Sequence, residues 1–460
     1  MRLPRRLLGI LLLGAVWNGA RAVDAPPCPV PEYKYLRYDE DYRYLARQEC
    51  RKEALDSIKF VPFPRGGDWF VSFGGELRWT IESFDEPQWG AQPDEDPYLL
   101  QRYMAHADLH LGTHARLFFQ LKSGLEDGRE SGPRPFDEDE LDVNQAFLDL
   151  GLGRGPDPAG TLRIGRQELG YGATRWISTR EGVTVHQSFD GIKAIFRGKP
   201  WRVDAFVTRP VLTETGTFDD STDDTRDFWG VYAVRPSLDL YYLGLDRDGA
   251  RFDQGTGHEV RHAVGARVWG KHGRWDVDVE PMIQFGSFGN GDIFAFGLES
   301  DTGYALGSRP LPPRLGLRAN VTSGDRDPDD PDLETFNPFF PRGIYHQIVN
   351  LSGHVNFLEL QPTLSFPVTR TLTISPDVDF LWRQSLDDGV YGVAGNLIRP
   401  AGGSRARAIV TQGSVVTIWK PTRHISFVQI VTYSSPGRFL EETGPHEATL
   451  FVSGWFAYKL

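Results

Sequence analysis

Residues 69–82 read WFVSFGGELRWTIE. Trp69, Val71, Phe73, Leu77, Trp79 and Ile81 alternate with Ser72, Glu76, Arg78, Thr80 and Glu82. A period of two places the two sets on opposite faces of a β-strand, one apolar and aromatic, the other charged. The pattern recurs. In 273–286, Trp275, Val277, Val279, Ile283 and Phe285 alternate with Asp276, Asp278, Glu280 and Gln284; in 370–384, Leu372, Ile374, Val378, Phe380 and Trp382 alternate with Asp377, Asp379 and Arg383. A soluble sandwich hides its apolar face in a core and exposes the other. Here the segments run to membrane-crossing length, Trp and Phe crowd the apolar face, and full charges fill the polar one, which suits lipid outside and a wet lumen inside.

Outward from this stretch, residues 69–460 contain about eighteen such segments, separated by alternately short and long gaps, the mark of an up-and-down outer-membrane barrel. The short gaps lie near 112–113, 153–159, 198–200, 236–237, 271–272, 304–311, 367–369 and 420–421. The long ones lie near 85–96, 127–141, 171–190, 211–226, 248–258, 286–291, 324–350, 385–403 and 435–445. The expected fold is all-β: an 18-stranded antiparallel transmembrane barrel with both termini periplasmic and a short N-terminal periplasmic extension. In 351–367 the polar set changes parity near Phe357 and Leu358, which predicts a bulge. A mean hydropathy of −0.37 is compatible with a membrane protein, because only every second residue meets lipid. The 50 glycines and 12 % aromatics fit tight turns and aromatic girdles.

Residues 1–22 read as a secretory signal: basic Arg2, Arg5 and Arg6, the apolar run LLGILLLGAV (7–16), and Ala20-Arg21-Ala22 as cleavage site. No later run is long and apolar enough for a spanning helix, and export without one points to a Gram-negative outer membrane, with its lipids and lipopolysaccharide as partners and the barrel-assembly machinery as another. Loss of 1–22, with four arginines and no acid, takes the formal charge from −12 to −16. The acids concentrate in FDEDELD (136–142), FDDSTDDTRD (218–227) and GDRDPDDPDLE (324–334), read as solvated loops. Nucleic acid is not an expected partner.

Residues 23–68 form a separate piece. Cys28 and Cys50, the two cysteines of an exported chain, are expected to form a disulfide. Residues 38–58 are compatible with one helix of four or five turns, carrying a weak apolar face that includes Tyr42, Leu45, Ala46 and Leu55. The piece reads as an appendage docked below the first strands, with a plug entering the pore as the alternative.

Alternation assigns an inward charged set. Its basic members include Arg78, Arg102, Arg116, Lys122, Arg163, Lys193, Arg202, Arg267, Arg318 and Arg383; its acids include Glu76, Asp108, Asp278, Glu280, Asp377 and Asp379. Basic residues left without a partner make a path for anions. Inward Phe118, Phe147, Phe228 and Tyr232 leave a sugar slide open. Catalytic groups are not apparent: the histidines are scattered, with no HExxH, no GxSxG elbow and no cofactor fingerprint. His106 and His110 share a face with Asp108 and read as paired lumen histidines. No metal, cofactor or catalytic residue is expected.

LRIGRQEL (162–169), preceded by NQAFLDLGL (144–152), with the GGELRW opening (74–79), resembles the bacterial alginate-export family of outer-membrane proteins. The resemblance implies a monomeric eighteen-stranded barrel with an Arg-lined constriction, passing an acidic polysaccharide from periplasm to exterior with periplasmic export partners. It makes Arg163, and Arg166 through a bulge at Gly165, pore residues. The alternative function is a diffusion porin for small anionic or sugar-like solutes.

Overall fold

In the computed structural model, residues 28–29, 31–64, 68–153, 159–308, 310–342 and 352–460 are described. The segment read as a secretory signal lies outside them. Eighteen antiparallel strands close one barrel. They are β1 Phe70–Asp85, β2 Glu95–Leu111, β3 Ala115–Asp127, β4 Asp139–Leu152, β5 Gly160–Gln167, β6 Phe189–Arg197, β7 Arg202–Leu212, β8 Arg226–Arg235, β9 Leu238–Phe252, β10 Gly255–His272, β11 Trp275–Phe288, β12 Gly291–Ala305, β13 Arg314–Thr322, β14 Phe357–Pro367, β15 Leu372–Arg383, β16 Ala408–Trp419, β17 Ile425–Pro436 and β18 Thr449–Lys459. Each pairs with its neighbours in sequence, and β18 returns to β1 from Glu76↔Lys459 to Asp85↔Leu450. Closure leaves no spanning strand with an unpaired edge, the condition for a sheet in lipid.

The alternation read from 69–82 sets the faces. Ile81, Ile192, Val207 and Phe294 are exposed on the outside, whereas Glu76, Arg78 and Arg102 are buried inside. Among the described residues no helix is long and apolar enough to cross a membrane. The gaps read as long at 248–258 and 286–291 are tight turns, because β9 pairs with β10 up to Phe252↔Gly255 and β11 with β12 up to Phe288↔Gly291. Alternating polarity continues beyond the membrane, where both faces meet water, so it cannot mark where a strand stops. The bulge expected in 351–367 is absent. β13 and β14 pair without a shift from Thr322↔Phe357 to Arg314↔Ser365, and the parity change lies where the preceding loop ends.

The N-terminal piece differs from its reading in two ways. The single helix over 38–58 is replaced by short 3-10 turns at Arg37–Asp39, Arg43–Ala46 and Gln48–Cys50 and one helical turn at Asp56–Lys59. The physical reason is tertiary: the apolar residues serve two targets rather than one helix face. Tyr42, Leu45 and Cys50 pack with Cys28, Tyr44 and Phe60 in a small core of their own, while Tyr38 packs on Phe118 and Phe147 of the barrel wall. Nor is the piece an appendage below the strands. Tyr38 is buried inside the lumen, and the Tyr35 hydroxyl accepts hydrogen bonds from the Thr179 backbone N–H and hydroxyl. Residues 31–60 are therefore a strap that enters the barrel from the end with the short turns. Val61–Pro62 then pairs with Val71 and Phe70, the part of β1 that projects past β18.

A disulfide joins Cys28 and Cys50, with a Cα–Cα distance of 5.3 Å. Because the bond closes a loop of 22 residues, replacing both cysteines by serine is expected to destabilise the strap by about 3 kcal/mol. Trypsin cleavage within 31–60, with the barrel kept folded in detergent, measures it; an unchanged rate would refute the effect.

Candidate functional site: the lumen path and its gate

The lumen is not an open cylinder. Between β5 and β6, residues 168–188 fold inward. Their base is a buried polar knot built from the NQAFLDLGL and LRIGRQEL runs. The Asn144 side-chain amide donates to Gln120 Oε1 at 2.8 Å and Glu168 Oε1 at 2.9 Å, the Gln145 amide donates to Gln120 Oε1 at 2.7 Å, and the Ser188 hydroxyl donates to the Asn144 carbonyl at 2.6 Å. The extra residue Asn144, opposite no partner between Gln120 and Leu121, turns two successive side chains toward the loop, as a bulge does.

The loop spans the barrel. At one wall, Arg78 donates to the Glu181 and Val183 carbonyls at 2.9 and 2.7 Å. Arg102 donates to the carbonyls of Glu181 at 2.7 Å and Thr184 at 3.0 Å and to that of Val183, and its Nη1 donates to Glu76 at 2.8 Å. At the opposite wall, Arg175 Nη1 reaches Asp278 and Glu280, each at 2.8 Å. Beneath it lies a dry aromatic cluster: Trp176 and Ile177 with Phe189, Phe206, Phe228, Tyr232 and, from the loop between β13 and β14, Phe336, Phe339 and Phe340. This cluster and the strap fill one sector of the lumen.

Two cavities of about 520 Å³ each lie in the rest of the lumen among the described residues. The inner one is lined by Glu76, Arg78, Arg314, Arg318, Asp377 and Lys459 among others. The outer one, toward the long loops, is lined by Phe84, Tyr98, Phe136, Arg129, Arg134 and Arg180 among others. Gly182 lines both, so residues 180–183 form the gate between them. Cationic side chains outnumber anionic ones in each: five to three in the inner cavity (with Arg342 and Glu181) and three to one in the outer (with Glu95). Arg129 and Arg134 are paired with acids. Arg180 and Arg342, one on each side of the gate, have no side-chain hydrogen bond or ion pair among the described residues. Arg180 sits in the left-handed region at φ 58°, held by Ser178 Oγ accepting from its N–H at 3.2 Å. Burial and the nearby Arg226 lower its pKa to about 10, which leaves it charged at neutral pH.

The residues predicted from alternation divide accordingly. Arg78 and Arg318 line the inner cavity; Arg102 lies behind Arg78 and clamps the gate. Arg116 pairs with Asp108 and Arg163 with Asp149, both at 2.7 Å or less, under the strap. Arg202 pairs with Asp204, and Arg267 with Asp278 and Asp239, on the wall. Glu76, Asp278 and Glu280 hold the loop through Arg102 and Arg175. Asp377 accepts from Gln361 at 3.0 Å and Asp379 from Gln412 at 3.1 Å. His110 pairs with Asp108 at 3.0 Å.

Two assignments are corrected. Arg166 is not in the pore: β5 pairs with β4 and β6 without a shift, so Arg166 stays in the outer row, opposite Asp190 and two residues beyond lipid-facing Ile164. Gly165 causes no bulge; it lets the backbone of β4 approach, where a Cβ would meet the Ala146 oxygen at 2.2 Å. Arg383 points inward but is buried under the loop between β15 and β16, donating to the carbonyls of Leu386, Asp388, Ser404 and Ala406. The two misreadings differ in origin. Arg166 was brought inward by the resemblance and a bulge at Gly165, against strict alternation, which the unshifted pairing upholds; for Arg383, alternation reports the face of a strand, not what later folds over it.

The gate residues Arg180, Glu181, Arg175 and His186 were missed because they lie in a gap. The signal was available: the gap at 171–190, holding Trp176, Ile177 and Val185, is too apolar to be solvated. The carboxylates of Asp139, Asp142 and Asp220 also converge, but Lys122 Nζ stands among them, 2.7 Å from Asp139 and 2.8 Å from Asp220, where a cation would sit.

His186 bridges Glu168 at 2.7 Å and Glu181 at 3.0 Å. Burial and Arg102 oppose its charge, yet the two glutamates win and raise its pKa above the ordinary value. A raised histidine pKa stabilises the folded gate fully below about pH 6.5, and that contribution is lost as pH rises through the folded-state pKa. Channel openings are therefore expected to become more frequent as pH rises above about 6.5, with the dependence absent in His186→Gln; identical single-channel traces at acidic and alkaline pH would refute it.

Comparison with known proteins agrees with this architecture. No curated protein sequence matches the chain. Among solved structures, the barrel is similar to a BenF-like porin from Pseudomonas fluorescens Pf-5 (10% identity, 86% of this chain and 99% of that one, TM-score 0.59). It is also similar to OccAB1 of Acinetobacter baumannii (12%, 88% and 99%, 0.58) and to OccK2 (OpdF) of Pseudomonas aeruginosa, solved in complex with glucuronate (12%, 87% and 99%, 0.55). At such identities the similarity shows the fold alone. Residues 70–452 match the family described as Alginate export, and this match runs from β1 with its GGELRW opening, through the paired runs that launch the gate, into the start of β18. The protein is an outer-membrane channel that belongs to the alginate-export family.

Proposed function

We propose that this channel passes an anionic, carboxylate-bearing saccharide, a polyuronate such as alginate, passively between periplasm and exterior, with the short-turn end and both termini in the periplasm. One observation carries the reading. The path includes two cavities in whose linings cationic side chains outnumber anionic ones, in a net acidic chain, and the gate between them is flanked by two guanidiniums, Arg180 and Arg342, without an ion-pair partner among the described residues. In a confined lumen such charges are screened less than the acids of the outer loops, which salt screens beyond about 8–10 Å. The reading assigns no catalytic step. The chain acts as a monomer in lipid and lipopolysaccharide, placed there by the barrel-assembly machinery and served by periplasmic export partners.

A diffusion porin for small anionic solutes is the second reading. It is favoured by the gate itself, because a passage bounded by residues 180–183 admits one sugar residue more readily than a thick chain. Planar-bilayer recording separates the readings. Anion preference under a salt gradient, with current block by oligouronates that strengthens with chain length, supports the polymer channel. Block by monomeric glucuronate that does not strengthen with length supports the small-solute porin. Cation preference would refute both.

A further inference from the structure

We infer that the strap covers a second anion-binding surface inside the barrel, and that the channel has a plugged state, the one described, and an unplugged state in which that surface joins the path. A finger of the strap, Tyr35, Leu36 and Tyr38, enters the lumen, with Arg37 beside it donating to the carbonyls of Gly75 at 3.0 Å and Leu460 at 2.6 Å. The remainder has its own small core and its own disulfide, so the finger can leave and return without the strap unfolding.

What lies under the finger is a built site. Lys193 Nζ, with a side chain almost fully buried, has no carboxylate within ion-pair distance among the described residues; its hydrogen-bond partner is the Tyr38 hydroxyl at 3.4 Å. Arg163 donates to Asp149 through Nε and Nη2, but its buried Nη1 has no hydrogen-bond partner. Its guanidinium lies 4.1 Å from the Tyr38 ring centroid and 3.7 Å from that of Phe147. Arg116 donates to the Tyr38 carbonyl at 2.6 Å. Arg116, Arg163 and Lys193 thus converge on a neutral phenol and one backbone carbonyl, beside the stacked rings of Phe118 and Phe147; Asp108 and Asp149 serve the two arginines, and Lys193 is left to the phenol. A buried ammonium without a counter-ion is costly, and the finger meets it with a cation–π contact where a carboxylate would do better. With the finger withdrawn, Lys193 and Arg163 Nη1 are placed for a carboxylate and the two phenylalanines for the apolar face of a sugar ring. The ligand class is a uronate.

This inference rests on the channel reading, but not on the selectivity assigned to Arg180 and Arg342, and the readouts differ: those two act on reversal potential in the plugged state, the strap on conductance level. The test uses the full chain carrying Tyr35→Ala and Tyr38→Ala. The expected result is a second, larger conductance level, a reversal potential moved toward the anion, and block by glucuronate at lower concentration, the block being lost on adding Lys193→Met. Wild-type conductance, reversal potential and glucuronate block in a variant that still migrates as a heat-modifiable barrel would overturn the proposal. Should that variant fail to fold, Lys193→Cys in the otherwise unaltered chain decides. A charged, membrane-impermeant thiol reagent modifies it if the finger withdraws. No modification, while an exposed Ser57→Cys control is fully labelled, would overturn the proposal.

Discussion

Replacing Arg180 with alanine is expected to remove most of the channel's preference for anions. The guanidinium faces the outer cavity at the gate, and no acid neutralises it among the described residues. A unit charge about 7 Å from a permeating carboxylate, at an effective dielectric of about 20, contributes roughly 2 kcal/mol before salt screening, on the order of 30-fold in partitioning. Arg342 stands on the inner side of the same gate, so the double variant Arg180→Ala/Arg342→Ala should lose more than either single one. By contrast Arg163→Ala should move the reversal potential little in the plugged state, because Asp149 and the strap already occupy that side chain. Reversal potentials under a salt gradient measure all of these. A large shift in Arg163→Ala with none in Arg180→Ala would place the selectivity on the wall and refute the gate.

The second large effect concerns the clamp. Arg102→Ala should both destabilise the barrel and open it. Arg102 is almost wholly buried and joins Glu76 to three carbonyls of the gate. Its removal leaves the Glu76 carboxylate buried with Lys459 alone, at 3.2 Å. Breaking a buried pair from one side costs about 3–5 kcal/mol. The carbonyls of residues 181–184 lose donors at the same time, so the gate should come away from its wall and conductance should rise. Arg78→Ala leaves the Arg102–Glu76 pair intact and removes donors to carbonyls only, with a cost of about 1–3 kcal/mol. The temperature of the heat-modifiable band shift reads stability, and single-channel conductance reads the gate. An Arg102→Ala channel with unchanged conductance would show that the loop stands without the clamp.

These expectations mark how far the sequence could be read. Strand number, strand order and the apolar outer surface were legible in stretches such as 69–82, and so was the family, from LRIGRQEL and NQAFLDLGL. The same runs misled about the pore. Their Arg163 was legible as inward but lies under the strap, and Arg166 is outside. The polar letters Asn144, Gln145 and Glu168 turn out to anchor the gate loop rather than to line a path. The gate was hidden because residues 168–188 have no period at all, and a loop's destination depends on contacts such as Arg175 with Asp278 and Glu280, more than a hundred residues away.

The sequence by itself determined the wall. A side-chain period of two, repeated over strands long enough to cross lipid, admits one solution: a closed sheet, because every backbone group in the membrane must find a partner and each strand can find it only in its neighbours. The tertiary structure alone decided the lumen. Inside the barrel, many placements of loop and strap bury similar surface, and the choice among them is made by specific long-range pairs: Arg102 with the 181–184 carbonyls, Tyr35 with Thr179, Tyr38 with Lys193. Each joins residues whose spacing along the chain carries no periodic signal, so which charges are spent on holding the loop, and which are left for a solute, appears only once the chain has closed on itself.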